Sequence, residues 1–178
     1  MSKITVDAVE PSTGTSLTLG ASGDTITVPS GGTLYAPGHV IQVVSMTASS
    51  EVNVTDTTYA DTGLTLAITP TSTSSKVFIM IQCKTTGQDN SSTSGGKVGL
   101  QILRDSTIVY GPIATAIYVG GPSSVNRQSQ NWNQLQYLDS PSTTSAVTYK
   151  LQYNARDEQA WANADGEMGV MSLMEIAG

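Results

Sequence analysis

The chain offers few groups that could make or break a bond. Its one histidine, His39, follows Gly38, so a Ser-His-Asp arrangement would have a single base to draw on, and no catalytic motif surrounds it. His39 is therefore expected to cap or pack the start of a strand. Carboxylates gather locally only at Asp157, Glu158, Asp165 and Glu167, within "RDEQAWANADGE". Glycoside hydrolysis needs two acids facing one cleft about 5 to 9 Å apart, whereas this stretch reads as a solvated loop. With Asn163 these acids are oxygen ligands of the kind Ca²⁺ takes, but the D-x-[DN]-x-[DN]-G spacing of a dedicated calcium loop is missing. The glycine pairs Gly95-Gly96 and Gly120-Gly121 open no helix, so no phosphate cradle is expected. The sequence predicts neither an enzyme nor a bound cofactor.

Binding chemistry is better supplied. Trp132 stands in "NRQSQNWNQ" and Trp161 in "DEQAWANAD", both among amides and charges rather than apolar neighbours. Loops of that composition can stack a sugar face on an indole while amides and a guanidinium bond its hydroxyls. The candidate glycan-binding set is Arg127, Trp132, Asn133, Trp161 and Asn163. The competing reading is that each tryptophan folds back and plugs the protein interior. Cys83 is the only cysteine, so no intrachain disulfide can form, and its place in the alternating "KVFIMIQCK" predicts a buried, inert thiol.

These residues need elements to position them. From Ile4 to Leu34 the apolar pieces are the pairs Ile4/Val6, Leu17/Leu19 and Ile26/Val28, and then Leu34, with starts 13, 9 and 8 positions apart (17−4, 26−17, 34−26). Turn residues fill each gap: Pro11, Gly14, Gly20, Gly23, Pro29 and Gly31-Gly32. Short strands with one small apolar side are stable only when copies stack or wrap. Residues 1–38 are therefore expected to form a short β-shaft or attachment segment in which three chains bury Ile4, Val6, Leu17, Leu19, Ile26 and Val28 along a common axis. The alternative is a Gly/Ser/Thr tail ordered only on contact.

Residues 39–178 change pattern. "HVIQVVSM", "LTLAIT", "KVFIMIQC", "IATAIYV", "NQLQYL", "AVTYKLQYN" and "GVMSLMEI" read as strands, and "KVGLQILRDSTIVYG" as a hairpin turning at Arg104–Thr107. Val77, Ile79, Ile81, Leu100, Ile102, Leu173 and Ile176 are the expected core, and "KTTGQDNSSTSGGK" a mobile tip or spacer. The fold class is all-β, with a C-terminal jelly-roll-like antiparallel β-sandwich.

In 178 residues, 38% are hydrophobic and only 12% charged, at net charge −6. That allows one real core, covered by hydroxyls and amides, and gives no basic patch for nucleic acid. No apolar run is long enough for a signal core or a membrane span.

The opening "SKITVDAVEPSTGTSLTLGASGDTITVPSGGTL" resembles the start of many tail-fibre and virion structural proteins of marine tailed bacteriophages, above all those infecting cyanobacteria and abundant ocean bacteria. "TTYADTGLTLAITPTSTSSKVFIMI", "ILRDSTIV", "LDSPSTTSAVTYKLQ" and "SLMEIAG" are similar to a C-terminal domain in the same group. The resemblance implies a virion protein, made in the host cytoplasm without a signal peptide. It implies a homotrimer with an N-terminal shaft or attachment segment and a β-sandwich head. That layout, with the tryptophan-bearing polar stretches, points to a tail fibre or tip that acts on a host surface glycan and meets other virion proteins through its N-terminal segment. These stretches specify strands and turns, so the resemblance assigns no site residue. The shortness of the shaft keeps a second role open, that of a capsid decoration or head-fibre protein.

Overall fold

In "KVFIMIQC" every second side chain is aliphatic or thiol, and a strand puts such a set on one face. The computed structural model, which describes residues 9–30, 32, 36–90, 95–120, 126–156 and 158–178, bears this out: Val77, Ile79, Ile81 and Cys83 are all buried on one side of a long strand. The chain divides into two units, Met1–Tyr35 and Ala36–Gly178.

The second unit is an antiparallel β-sandwich. Its strands in chain order are β1 (Val40–Ala48), β2 (Val52–Val54), β3 (Ala60–Ile68), β4 (Lys76–Asn90), β5 (Gly96–Arg104), β6 (Thr107–Val119), β7 (Asn126–Asp139), β8 (Val147–Ala155), β9 (Gln159–Ala162) and β10 (Gly169–Ile176). One sheet runs β1-β10-β4-β7 and the other β3-β8-β5-β6, with the short β2 and β9 added beside β4. Setting β2 and β9 aside, every connection crosses from one sheet to the other except the β5–β6 hairpin. That is the strand order of a jelly roll. Leu64, Val98, Leu100, Ile102, Leu151, Tyr149, Tyr153, Met171 and Leu173 meet the β4 row between the sheets.

Five local expectations change. "KTTGQDN" is no mobile tip but the second half of β4, because β7 covers one edge of that strand to Asn90 and β9 the other from Thr85 to Gln88. "IATAIYV" is not a separate strand; it completes β6, whose ladder to β5 shifts register at three places. "NRQSQNWN" is strand rather than loop, and "RDEQAWANADGE" holds β9 and a 3-10 turn at Ala164–Gly166. Ile176 is not core: Leu173 and Glu175 share a face, so Ile176 points the other way and is half-buried.

Glu175 therefore sits fully buried where an aliphatic would be expected. Its carboxylate accepts from Gln42 Nε2 at 2.5 Å and from the Thr71 amide and hydroxyl at 2.7 Å each. Burial works against the charge, but the bonds from Gln42 and Thr71 outweigh it and hold the group below its usual range. A carboxylate whose folded pKa is depressed contributes stability above its unfolded value of about 4.3, lost as pH falls through the folded value. Glu175→Gln is expected to flatten the acid limb of a plot of unfolding free energy against pH between about 5 and 3, and to cost about 1–3 kcal/mol at neutral pH. Parallel acid limbs for the two proteins would refute this.

In the first unit, no strand or helix occurs among the described residues. Its turns are local: the Asp24 amide donates to Ala21 O at 3.0 Å, and the Ala21 amide to the Asp24 carboxylate at 2.7 Å. Leu17, Leu19, Ile26 and Val28 are 45–64% exposed. Ile4 and Val6 lie outside the described residues.

His39 holds the entry to β1, as the sequence suggested. Its ring and its amide both meet Ala36 O, and its carbonyl accepts from the Ala177 amide.

Candidate functional site

The outer face of the β1-β10-β4-β7 sheet is divided along its length. Near the chain's entry, Val43, Met174, Phe78 and Leu138 form one in-register apolar row across all four strands. Toward the far end of β4 the rows turn polar. Lys84 faces Trp132, and the next row reads Asn53, Trp161, Thr86, Gln130 across β2, β9, β4 and β7. Gln88 then faces Gln128 on one side and Gln159 on the other. From Lys76 to Thr86 is ten residues (86−76), so this polar end lies about 33 Å along the strand from where β4 begins.

Strand parity puts both tryptophans on this one face. Trp132 is 42% exposed, and Trp161 is half-buried. They are two strand spacings and two residues apart, roughly 12 Å. Trp161 helps line a pocket of about 240 Å³ with Glu51, Thr86, Gln128, Gln130, Ala164 and Asp165. Thr86 is 3% exposed, and its hydroxyl has no hydrogen-bond partner among the described residues.

The turn after β9 builds the pocket's charged wall. Asn163 and Asp165 both adopt left-handed backbone, which short polar side chains tolerate. Asp165 accepts from Lys84 Nζ at 2.8 Å and Gln130 Nε2 at 2.9 Å, while its own amide donates to Glu51 Oε2 at 2.9 Å. The bonds from Lys84 and Gln130, with the Lys84 charge, hold the Asp165 carboxyl below the usual range, so it is ionised at neutral pH. Among the described residues no three of His, Cys, Asp and Glu gather to hold a metal ion, and Asp157 lies outside them.

Three of the five candidates do not face this surface, Asn133 and Arg127 by strand parity and Asn163 by its place inside the turn after β9. Asn163 is fully buried: Nδ2 donates to Ser50 O at 3.0 Å and Thr62 O at 2.8 Å, tying the turn to the β1–β2 and β3 backbone. A Cβ on Gly169 would stand 2.7 Å from Asn163 Oδ1, so the site's base depends on a glycine there. Asn133 is 8% exposed and donates inward to Thr85 Oγ1 at 2.7 Å. Arg127 shares the inward parity of Asn133, stands opposite buried Asp89, and has one guanidinium nitrogen shut off from solvent. Cys83 is buried, and burial pushes its thiol pKa up.

What sequence reasoning missed is the row beside Trp132. Gln128, Gln130, Gln134 and Gln136 occupy every second position of β7 around that tryptophan, all outward and exposed. The period of two is legible in "QSQNWNQLQ" once the stretch is taken as strand. Between β10 and β7 the same face holds a second depression of about 250 Å³, lined by Met80, Gln82, Gln134, Gln136, Val170 and Ser172 among others.

No protein-family model and no curated protein matches the chain. Among solved structures it is similar to the VP2 subviral particle of infectious bursal disease virus, at 11% identity and TM-score 0.44, over 87% of this chain and 42% of that one. The T13 particle of the same virus gives 11% and 0.43, over 86% and 40%. The chain thus spans less than half of either protein, and a likeness this faint says nothing about what it binds. No helix among the described residues is long and apolar enough to cross a membrane.

Proposed function

We propose that the chain is a virion structural protein, a homotrimeric tail fibre or tip whose sandwich recognises a glycan on the host surface through the Trp161–Trp132 face. The carrying observation is that both tryptophans share one exposed polar half-sheet, at the end of the sandwich remote from the point where the chain enters it. A jelly roll hosts capsid and lectin domains alike, so its topology suits this role. Indoles offer apolar faces to a sugar ring, and the surrounding amides and carboxylates bond its hydroxyls. The assembled particle, rather than a membrane or nucleic acid, is the expected location, and the first unit is the expected contact to other virion proteins. Imaging virions that carry a label on this chain tests the reading: label at the tail tip supports it.

The alternative is a capsid decoration or head-fibre protein, for which the label would decorate the capsid.

The trimer has its own test. Leu17, Leu19, Ile26 and Val28 are exposed in a single chain, and three copies meeting along an axis would bury them, at about 1.5–3 kcal/mol per fully buried aliphatic side chain. Sedimentation should give three times the chain mass for the wild type and one chain mass for the Leu19→Asp/Ile26→Asp variant. A wild-type monomer at micromolar concentration would refute it.

A further inference from the structure

The glycan reading leaves open which glycan, and the shape and chemistry of the face are specific enough to answer by class. The pocket at Trp161, at about 240 Å³, is smaller than the 300–1,000 Å³ of typical sites for drug-sized ligands, so it has room for one sugar ring and little more. It does not end there. From Gln128 to Gln136 the β7 amides continue for eight residues (136−128), about 27 Å, past Trp132 and into the depression over Met80 and Val170. The amides of Gln82, Gln134 and Gln136 have no side-chain partner among the described residues, and each offers two donors and an acceptor.

The cation on this track, Lys84 in register with Trp132, is tied to Asp165 at 2.8 Å. Among the described residues Glu51 and Asp165 line the pocket and no cationic side chain does. An anionic sugar would meet two carboxylates in a chain of net charge −6. A neutral hydroxyl can instead donate to those carboxylates and accept from the amides. The unpartnered Thr86 hydroxyl at the pocket floor points to the same partner chemistry.

We infer that the β4–β7 face is an elongated track for an uncharged glycan chain, with one terminal or branch sugar seated against Trp161 and the following units laid over Trp132 and the glutamine row. This rests on the glycan reading above and narrows it to neutral, extended chains.

Titrating the intact protein by tryptophan fluorescence and calorimetry tests it, with dextran and mannan oligosaccharides of two to eight units as neutral probes and oligogalacturonates of the same lengths as acidic ones. Affinity for a neutral series should rise at least tenfold from two units to five or more, with oligogalacturonates at least tenfold weaker. Gln134→Ala/Gln136→Ala, two exposed changes that leave the fold intact, should abolish the gain with length but spare the binding of the disaccharide. Glu51→Lys should narrow the gap between neutral and acidic probes. Equal or tighter binding of the acidic series, or affinity flat with length, overturns the track while leaving a glycan receptor in place. No saturable binding in either series at millimolar concentration overturns both.

Discussion

Replacing Asp139 by alanine should destabilise the sandwich by about 3–5 kcal/mol, read as a shift in the urea midpoint with an unchanged slope. Asp139 is the last residue of β7, 6% exposed, and its Oδ2 binds both Arg104 Nη1 and Tyr149 Oη at 2.6 Å. Arg104 ends β5 and Tyr149 lies on β8, so one oxygen ties the first sheet to the second at the edge where β6 and β7 approach. Burial, then the bond to Asp139, push the Tyr149 phenol far above its ordinary pKa, so it remains a donor throughout the accessible pH range. Removing the acceptor strands a fully buried hydroxyl and a partly buried guanidinium together, which is why the cost exceeds that of one ordinary hydrogen bond. Tyr149→Phe removes one arm only and should cost about 1–2 kcal/mol. Coupling between the two substitutions in a double-mutant cycle should then reach 0.5 kcal/mol or more. A loss below about 1 kcal/mol for Asp139→Ala would mean that Arg104 finds another partner and the tie is dispensable.

The fold was legible where period and burial agree. "LTLAIT", "KVFIMIQC" and "AVTYKLQYN" alternate, and each forms a strand with that set facing inward or nearly so. It was illegible where polar residues line both faces. "KTTGQDN" and "NRQSQNWN" have no apolar alternation to read, and they are strands because they pair with each other over their whole length, a long-range fact absent from either segment alone. Ile176 shows the converse error: an aliphatic near the chain end looked like core, but parity from Leu173 assigns that side to Glu175, whose three bonds come from residues more than a hundred positions away.

The candidate site follows the same division. Composition found the tryptophans. Parity, which a loop does not have, selected their companions: Gln128, Gln130, Gln134 and Gln136 replace Arg127 and Asn133 once the segment is a strand, and the inward set becomes the support that holds the outward one. Asn163 keeps a role of that second kind, fixing from inside the turn that presents Asp165.

The largest functional effect should come from Trp132→Ala/Trp161→Ala, which is expected to lower adsorption of particles to host cells by at least about a hundredfold. Truncating a tryptophan at the centre of a contact costs about 2 kcal/mol or more, and each 1.4 kcal/mol is tenfold in affinity. On a trimer the loss is repeated at three linked sites, so the avidity that makes weak sugar contacts useful falls faster than any single affinity. Neither indole lies in the buried core between the sheets, and Trp132 is exposed on an outer face. The melting temperature should therefore move by only a few degrees and trimers should persist. The three outcomes are physically distinct. A folded trimer that no longer adsorbs supports a receptor-binding face. An unfolded variant means that the indoles carry the packing of β9 and β7 onto β4, and the glycan reading loses its main support. A folded variant whose particles adsorb normally but fall apart on heating or in low salt means that this face meets a neighbouring virion protein, since only a contact inside the particle would be missed by the isolated chain and felt by the assembly.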